Sequence, residues 1–140
     1  PSALITHTIE KGLSIEQELV LLVTTHASLQ NGCSFCADLH QAQAVQAQLG
    51  LEKFRALRDF ETSSLFSERE AAALAYCEDA TRNRKVSSAS FARLRAHFGE
   101  REIVELTWLV AIGNFFNLMA VSLELESDGL VEQLTKASAR

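Results

Sequence analysis

Proline is almost absent from this chain: the only one is Pro1, so nothing obliges a helix to kink further along. Strand-like alternation of useful length is missing too, which removes the main competitor to a helical reading. The net charge of −5 comes without a long run of one sign, and no basic stripe marks a nucleic-acid surface. The short cluster Arg82, Arg84 and Lys85 reads as a solvated helix end. Three cysteines are too few and too clustered for a secreted disulfide scaffold. The stretch Pro1 to Leu13 contains Glu10 and Lys11 and has no continuous apolar region, unlike an export signal, so a cytoplasmic location is expected. What is there is globular in character: 140 residues, 47% hydrophobic and 22% charged, enough to bury a real core as one domain over 1–140.

The hydrophobic period is helical almost throughout. A first helix is predicted from Ser14, its expected cap, to about Gln30, with Ile15, Leu19, Leu22, Val23 and Leu29 inward. Asn31-Gly32 breaks the chain. A second helix runs from the cysteines to Gly50, where a left-handed residue would end it. Leu51 to Phe60 predicts a shorter helix with Phe54 and Leu57 inward. Ser67-Glu-Arg-Glu70 has capping-box spacing and opens a helix through Ala80. Ser87 or Ser88 opens the next, with Phe91, Leu94 and Phe98 on one face and Gly99 as its end. A long helix follows from Glu100 to about Glu126, and Leu130 to Lys136 adds a last turn or two. The fold class is all-α, a helical bundle.

Between Ile103 and Leu123 the long helix is apolar on nearly every side, so it either spans a membrane or is surrounded by protein. Glu105, Asn114 and Asn117 interrupt the run, and acidic rather than basic residues (Glu124, Glu126, Asp128) follow it, against a membrane span. A small monomer rarely surrounds such a helix. Burial between subunits is the expectation, hence a homo-oligomer without membrane or nucleic-acid partners.

The one compact chemical constellation is Cys33-Ser-Phe-Cys-Ala-Asp-Leu-His40. On a helix, Cys33, Cys36 and His40 share a face. A thiol with an ordinary pKa near ~8.5 is shifted toward thiolate at a helix N-terminus, and His40 is placed as base or cationic partner. A thiolate at Cys36 would attack a peroxide oxygen to give a sulfenic acid, and Cys33 would condense with it to a disulfide; the same pair suits thiol–disulfide exchange. Two other readings stand beside this one. Cys33, Cys36 and His40 with His26 or Cys77 would make four zinc ligands, a redox-sensing or zinc-binding module without catalysis, although no second CxxC or HxxxH is present. Alternatively, both cysteines are small buried hydrophobes. Cys77, on an alanine-rich face, is assigned no role, and neither are His7 and His97. Glu18 and His26 share a face of the first helix and are the candidates for a proton relay toward the thiols.

The segments Glu18-Leu-Val-Leu-Leu-Val23 and Asn31 to His40 resemble the alkylhydroperoxidase D-like, carboxymuconolactone decarboxylase superfamily. Phe66 to Tyr76, Phe98 to Thr107, Asn114 and Asn117 support the likeness, which spans roughly residues 15 to 125. The resemblance implies a helical fold of that type, assembly into trimers or hexamers, and peroxidase or disulfide-reductase activity on an organic hydroperoxide or disulfide. It casts Cys36 as peroxidatic, Cys33 as resolving and His40 as proton acceptor. No bound cofactor is implied, only a dithiol protein or small-thiol reductant. The family glutamate twelve residues before the first cysteine falls on Leu21 here, leaving Glu18 or His26 to complete any relay. The lactone decarboxylase branch does not rest on a CxxC pair, and no arginine cluster adjoins the motif.

Overall fold

The computed structural model describes residues 12–139, so His7 lies outside it. Those residues form seven α-helices and one 3₁₀ turn, with no strand among them. We number them α1 (Gln17–Gln30), α2 (Ser34–Gln46), α3 (Glu52–Arg55), the 3₁₀ turn Leu57–Asp59, α4 (Glu68–Asn83), α5 (Ser88–Arg95), α6 (Glu100–Ser122) and α7 (Leu130–Ser138). The all-helical expectation holds.

The helix that is surrounded is α1, not α6. Nine of its residues, Leu19 and Leu21 to Ser28, are buried, because α2, α4 and α6 all pack against it. Gly113 of α6 faces Ala27 of α1, and the absence of a side chain there lets the two helices approach closely. The core is completed by Leu57, Leu74, Leu94, Leu106 and Leu109, each fully buried. By length and composition α6 could cross a membrane, yet one side of it docks on α1 and α4 and a third of its most apolar stretch is buried. Its other side leaves Val104, Phe115, Leu118 and Met119 exposed.

Several helix ends differ from expectation, each for a local reason. Ser14 does not cap α1; its N–H and hydroxyl both donate to Glu105 Oε2, at 2.9 and 2.8 Å, pinning the segment just before α1 to α6. Helix α2 stops at Gln46 rather than Gly50. Gln48 takes the left-handed conformation (φ 58°), while the Leu49 and Gln48 N–H groups donate to Ala44 and Val45 carbonyls. That is the hydrogen-bond pattern of a Schellman motif, and it turns Leu49 inward onto the core. Leu51 to Phe60 divides into α3 and the 3₁₀ turn, with Phe54 and Leu57 buried as expected. The capping box at Ser67 is present in both directions; such a cap stabilises by about 1 kcal/mol. Its helix continues three residues beyond Ala80, to Asn83. Gly99 begins α6 rather than ending α5, and on α5 Leu94 is buried whereas Phe91 is 39% exposed, because α5 is short and lies at the periphery. Helix α6 ends at Ser122, four residues before Glu126.

The back of α2 holds α7. The Asp38 carboxylate accepts from Ser127 Oγ (2.9 Å), Leu130 N (2.7 Å) and Val131 N (3.1 Å). Free N–H groups at a helix start favour a carboxylate there. Burial opposes the charge on Asp38, but these bonds outweigh it and hold its pKa below the ordinary value.

Candidate active site

The junction between α1 and α2 is built by one residue acting on both helices. Gly32 takes a left-handed conformation (φ +69°), which glycine adopts without steric cost. The Gly32 and Cys33 N–H groups then donate back to Leu29 and Ser28 carbonyls, at 3.3 and 2.9 Å, ending α1. Cys33 is also the N-cap of α2, its Sγ accepting from the Cys36 N–H at 3.2 Å. Cys33 and Cys36 are joined as a disulfide with their Cα atoms 5.3 Å apart. They are 2% and 5% exposed and pack with Phe35 and with Ala120 of α6.

His40 lies on the same face of α2, one turn beyond Cys36, half-buried. Its Nδ1 is 3.3 Å from Gln43 Oε1. An amide oxygen can only accept, so Nδ1 carries the proton and the Nε2 lone pair is left as the basic site. Burial pushes its pKa below the ordinary histidine value, opposed by the Gln43 bond. That shift favours the neutral imidazole, the form that can take a proton.

Glu18 and His26 are not brought to this pair. Glu18 stands in the first turn of α1, about 18 Å of helix away from its cysteine end, and its carboxylate pairs with Lys53 at 3.4 Å. Lys53 is shared with Glu70 at 2.7 Å. His26 is 1% exposed and faces α4: its Nε2 is 3.2 Å from Glu78 Oε2, and its ring meets Phe60 edge-on. The Glu18–His26 relay is thus replaced by a His26–Glu78 pair, with Arg82 on the other carboxylate oxygen. Side chains on one helix face meet only three or four residues apart, and Glu18 and His26 are eight apart. Leu21 is packed in the core. Cys77 is fully buried beneath α1, its thiol pushed up to about 12 by desolvation, so it is inert. Among the described residues, no three His, Cys, Asp or Glu side chains are grouped to hold a metal.

His26 carries a pH prediction. Burial lowers its pKa from 6.5, Glu78 opposing and Arg82 and Arg58 adding to the shift. The unfolded chain then binds the proton more readily than the folded one. The stability it contributes is whole above the unfolded value and is lost as the pH falls through it. Urea unfolding should show falling stability between about pH 7 and pH 5. In His26→Leu this slope should shrink to the part owed to His40, whose shift has the same sign, and near pH 5 to the carboxylates held below their ordinary values. An unchanged slope would remove His26 from the account.

A group that sequence reasoning did not place is an amide cluster beside the cysteines. Asn31 Nδ2 donates to Asn114 Oδ1 (3.0 Å) and to Asn117 Oδ1 (2.9 Å). Asn117 Nδ2 donates to Ser28 Oγ at 3.1 Å, and Asn114 Nδ2 to Thr81 Oγ1 at 3.0 Å. The available signal was two asparagines three apart inside an apolar run. A cavity of about 510 Å³ opens on this flank of α6 beside Asn31, Tyr76, Phe115 and Leu118.

A bundle built around one buried helix, with a disulfide-bonded CxxC pair at the start of the next, defines the class of fold and site. The family model of the carboxymuconolactone decarboxylase family matches residues 6–79, and the chain belongs to that family. It is 31% identical over 99 residues to the uncharacterized protein YnjA of Escherichia coli K12, covering 70% of this chain. It spans only about half (54%) of that relative's length. Among solved structures it is similar to ATU0492 of Agrobacterium tumefaciens, a protein of unknown function described as a candidate antioxidant defence protein AhpD. The TM-score is 0.81 and the identity 28%, over 90% of this chain and 86% of that one. The debrominase Bmp8 has the same fold, with a TM-score of 0.80 at 22% identity, over 91% and 70% of the two chains.

Proposed function

We propose that the protein is a thiol-dependent peroxidase or disulfide reductase of the alkylhydroperoxidase D-like type. The observation that carries this reading is the Cys33–Cys36 disulfide at the start of α2, with His40 one turn on. The likeness to the AhpD-described protein supports it. In the reduced state His40 Nε2 takes the Cys36 proton, and the thiolate attacks the terminal oxygen of a hydroperoxide. The O–O bond breaks, the alcohol leaves with a proton, and Cys36 becomes a sulfenic acid. Cys33 attacks that sulfur and expels water, restoring the disulfide. Two thiols and ROOH thus give ROH, water and a disulfide. A dithiol protein or small thiol returns the electrons, and no bound cofactor enters the cycle.

The chain works, in this reading, in the cytoplasm as a homo-oligomer, a trimer or hexamer, without membrane or nucleic-acid partners. The exposed apolar side of α6 supports the assembly: contiguous patches of this kind mark interaction sites.

The test is to add one equivalent of cumene hydroperoxide to the reduced protein and map its peptides by mass spectrometry. Rapid formation of a Cys33–Cys36 disulfide is expected, with cumyl alcohol released in equal amount. Thiols that stay free would overturn the peroxidase reading.

A further inference from the structure

The two cysteines are held unequally. Cys33 Sγ sits at the start of a helix of 13 residues and accepts the Cys36 N–H at 3.2 Å. Negative charge forming on Cys33 would meet that donor and the helix dipole. Both sulfurs belong to buried residues, and Cys36 has His40 one turn along.

What keeps Cys33 there is a closed ring of hydrogen bonds. The Cys33 N–H donates to the Ser28 carbonyl at 2.9 Å. Ser28 Oγ accepts from Asn117 Nδ2 at 3.1 Å, and Asn117 Oδ1 accepts from Asn31 Nδ2 at 2.9 Å. The chain itself closes the ring from Asn31 through Gly32 to Cys33. Asn117 is 1% exposed and Ser28 fully buried. Buried bonds of this kind are costly to leave unmade, so the ring fixes the turn against α6. A helix–helix contact alone does not require that its polar atoms converge on the cysteine turn.

We propose that Asn31 and Asn117 are positioning residues that hold Cys33 as the leaving sulfur of the disulfide, so that a thiol reductant attacks and joins Cys36. The assignment rests on the dithiol reading above and adds the regiochemistry of reduction. A reductant thiolate RS⁻ forms a bond to Cys36 Sγ. The Cys33–Cys36 bond breaks, and its electron pair leaves on Cys33 as a thiolate. A second RS⁻ attacks the reductant sulfur of the mixed disulfide, releasing RSSR and the Cys36 thiolate. Exchange favours the sulfur pair whose leaving thiol is the more acidic.

Glutathione is the probe. The oxidised protein is mixed with glutathione, quenched in acid at early times, alkylated and mapped by mass spectrometry. Glutathione should be found on Cys36 and the alkyl label on Cys33, with about tenfold preference. Glutathione on Cys33, or an even mixture, would overturn the assignment. A second arm follows iodoacetamide alkylation against pH in Cys36→Ser and Cys33→Ser, each leaving one thiol of the pair. Cys33 should react with the lower midpoint. Adding Asn31→Ala should raise that midpoint and slow Cys33 alkylation about three- to tenfold at neutral pH, leaving the Cys36 profile in place. If Asn31→Ala lowers the melting temperature but moves neither profile, the amides only hold helices together and the positioning role fails. Should Asn31→Ala not fold, the mapping on the unaltered protein decides alone. Glutathione exchange uses no peroxide, so a protein inert to hydroperoxide defeats the proposed activity without touching this result.

Discussion

Replacing Cys36 with serine is expected to lower hydroperoxide turnover with dithiothreitol as reductant by about a thousandfold or more. A serine hydroxyl near neutral pH has almost no anionic form and makes no sulfenic acid, so both the nucleophile and the intermediate are lost. Cys33→Ser should differ in kind: with no reductant present, the first oxidation proceeds, and the protein stops as a Cys36 sulfenic acid that dimedone traps. Cys77→Ser should leave turnover unchanged, since that thiol is buried beneath α1 with its pKa pushed up to about 12. His40→Asn should cost about a hundredfold if it removes the proton acceptor. Consumption of cumene hydroperoxide under pseudo-first-order conditions reads all four. Wild-type rates in Cys36→Ser would show that another group performs the chemistry.

The cysteine motif was legible because its geometry is local. A CxxC after Asn-Gly needs only one turn of helix to bring two sulfurs together, and His40 follows from helical spacing alone. The capping box at Ser67 and the inward Phe54 and Leu57 were readable for the same reason. Glu18 and His26 illustrate the opposite case. A shared helix face said that they point the same way, but which partner each meets was decided by α3 and α4, which supply Lys53 and Glu78. Those contacts bridge 35 and 52 positions of sequence, beyond any periodicity. The amide ring had the same obstacle, since Asn31 and Asn117 lie 86 residues apart. Ser14 shows the competition directly. It has the right chemistry for a cap, and it went to Glu105 because that carboxylate lay within reach in the folded chain.

Under the proposed homo-oligomer, Leu118→Glu is expected to yield monomers. In the isolated chain Leu118 is 69% exposed, Val104 68%, Phe115 50% and Met119 47%, and all four fall on one side of α6. Leaving this stripe to water forfeits about 25 cal/mol for every Å² a partner would cover. In the proposed assembly a neighbouring copy would cover this side of α6, with its own α6 across a two-fold axis or with a different patch in a three-fold ring. A glutamate at its middle must be desolvated without a cation opposite. That costs several kcal/mol, and every ~1.4 kcal/mol is a tenfold weaker association, so loosening by about a thousandfold is expected. Light scattering at micromolar concentration should therefore report the monomer mass for Leu118→Glu. Phe91→Glu, on the outer side of α5 and 39% exposed, should keep the mass of the parent, separating loss of an interface from a general effect of added charge. Circular dichroism should show the helices retained, because Leu118 contributes little to the core of its own chain, whereas the melting temperature should fall and lose its dependence on protein concentration. A parent that is itself monomeric would refute the assembly outright. Vesicle binding by that monomer, lost in Leu118→Glu, would assign the stripe to lipid instead.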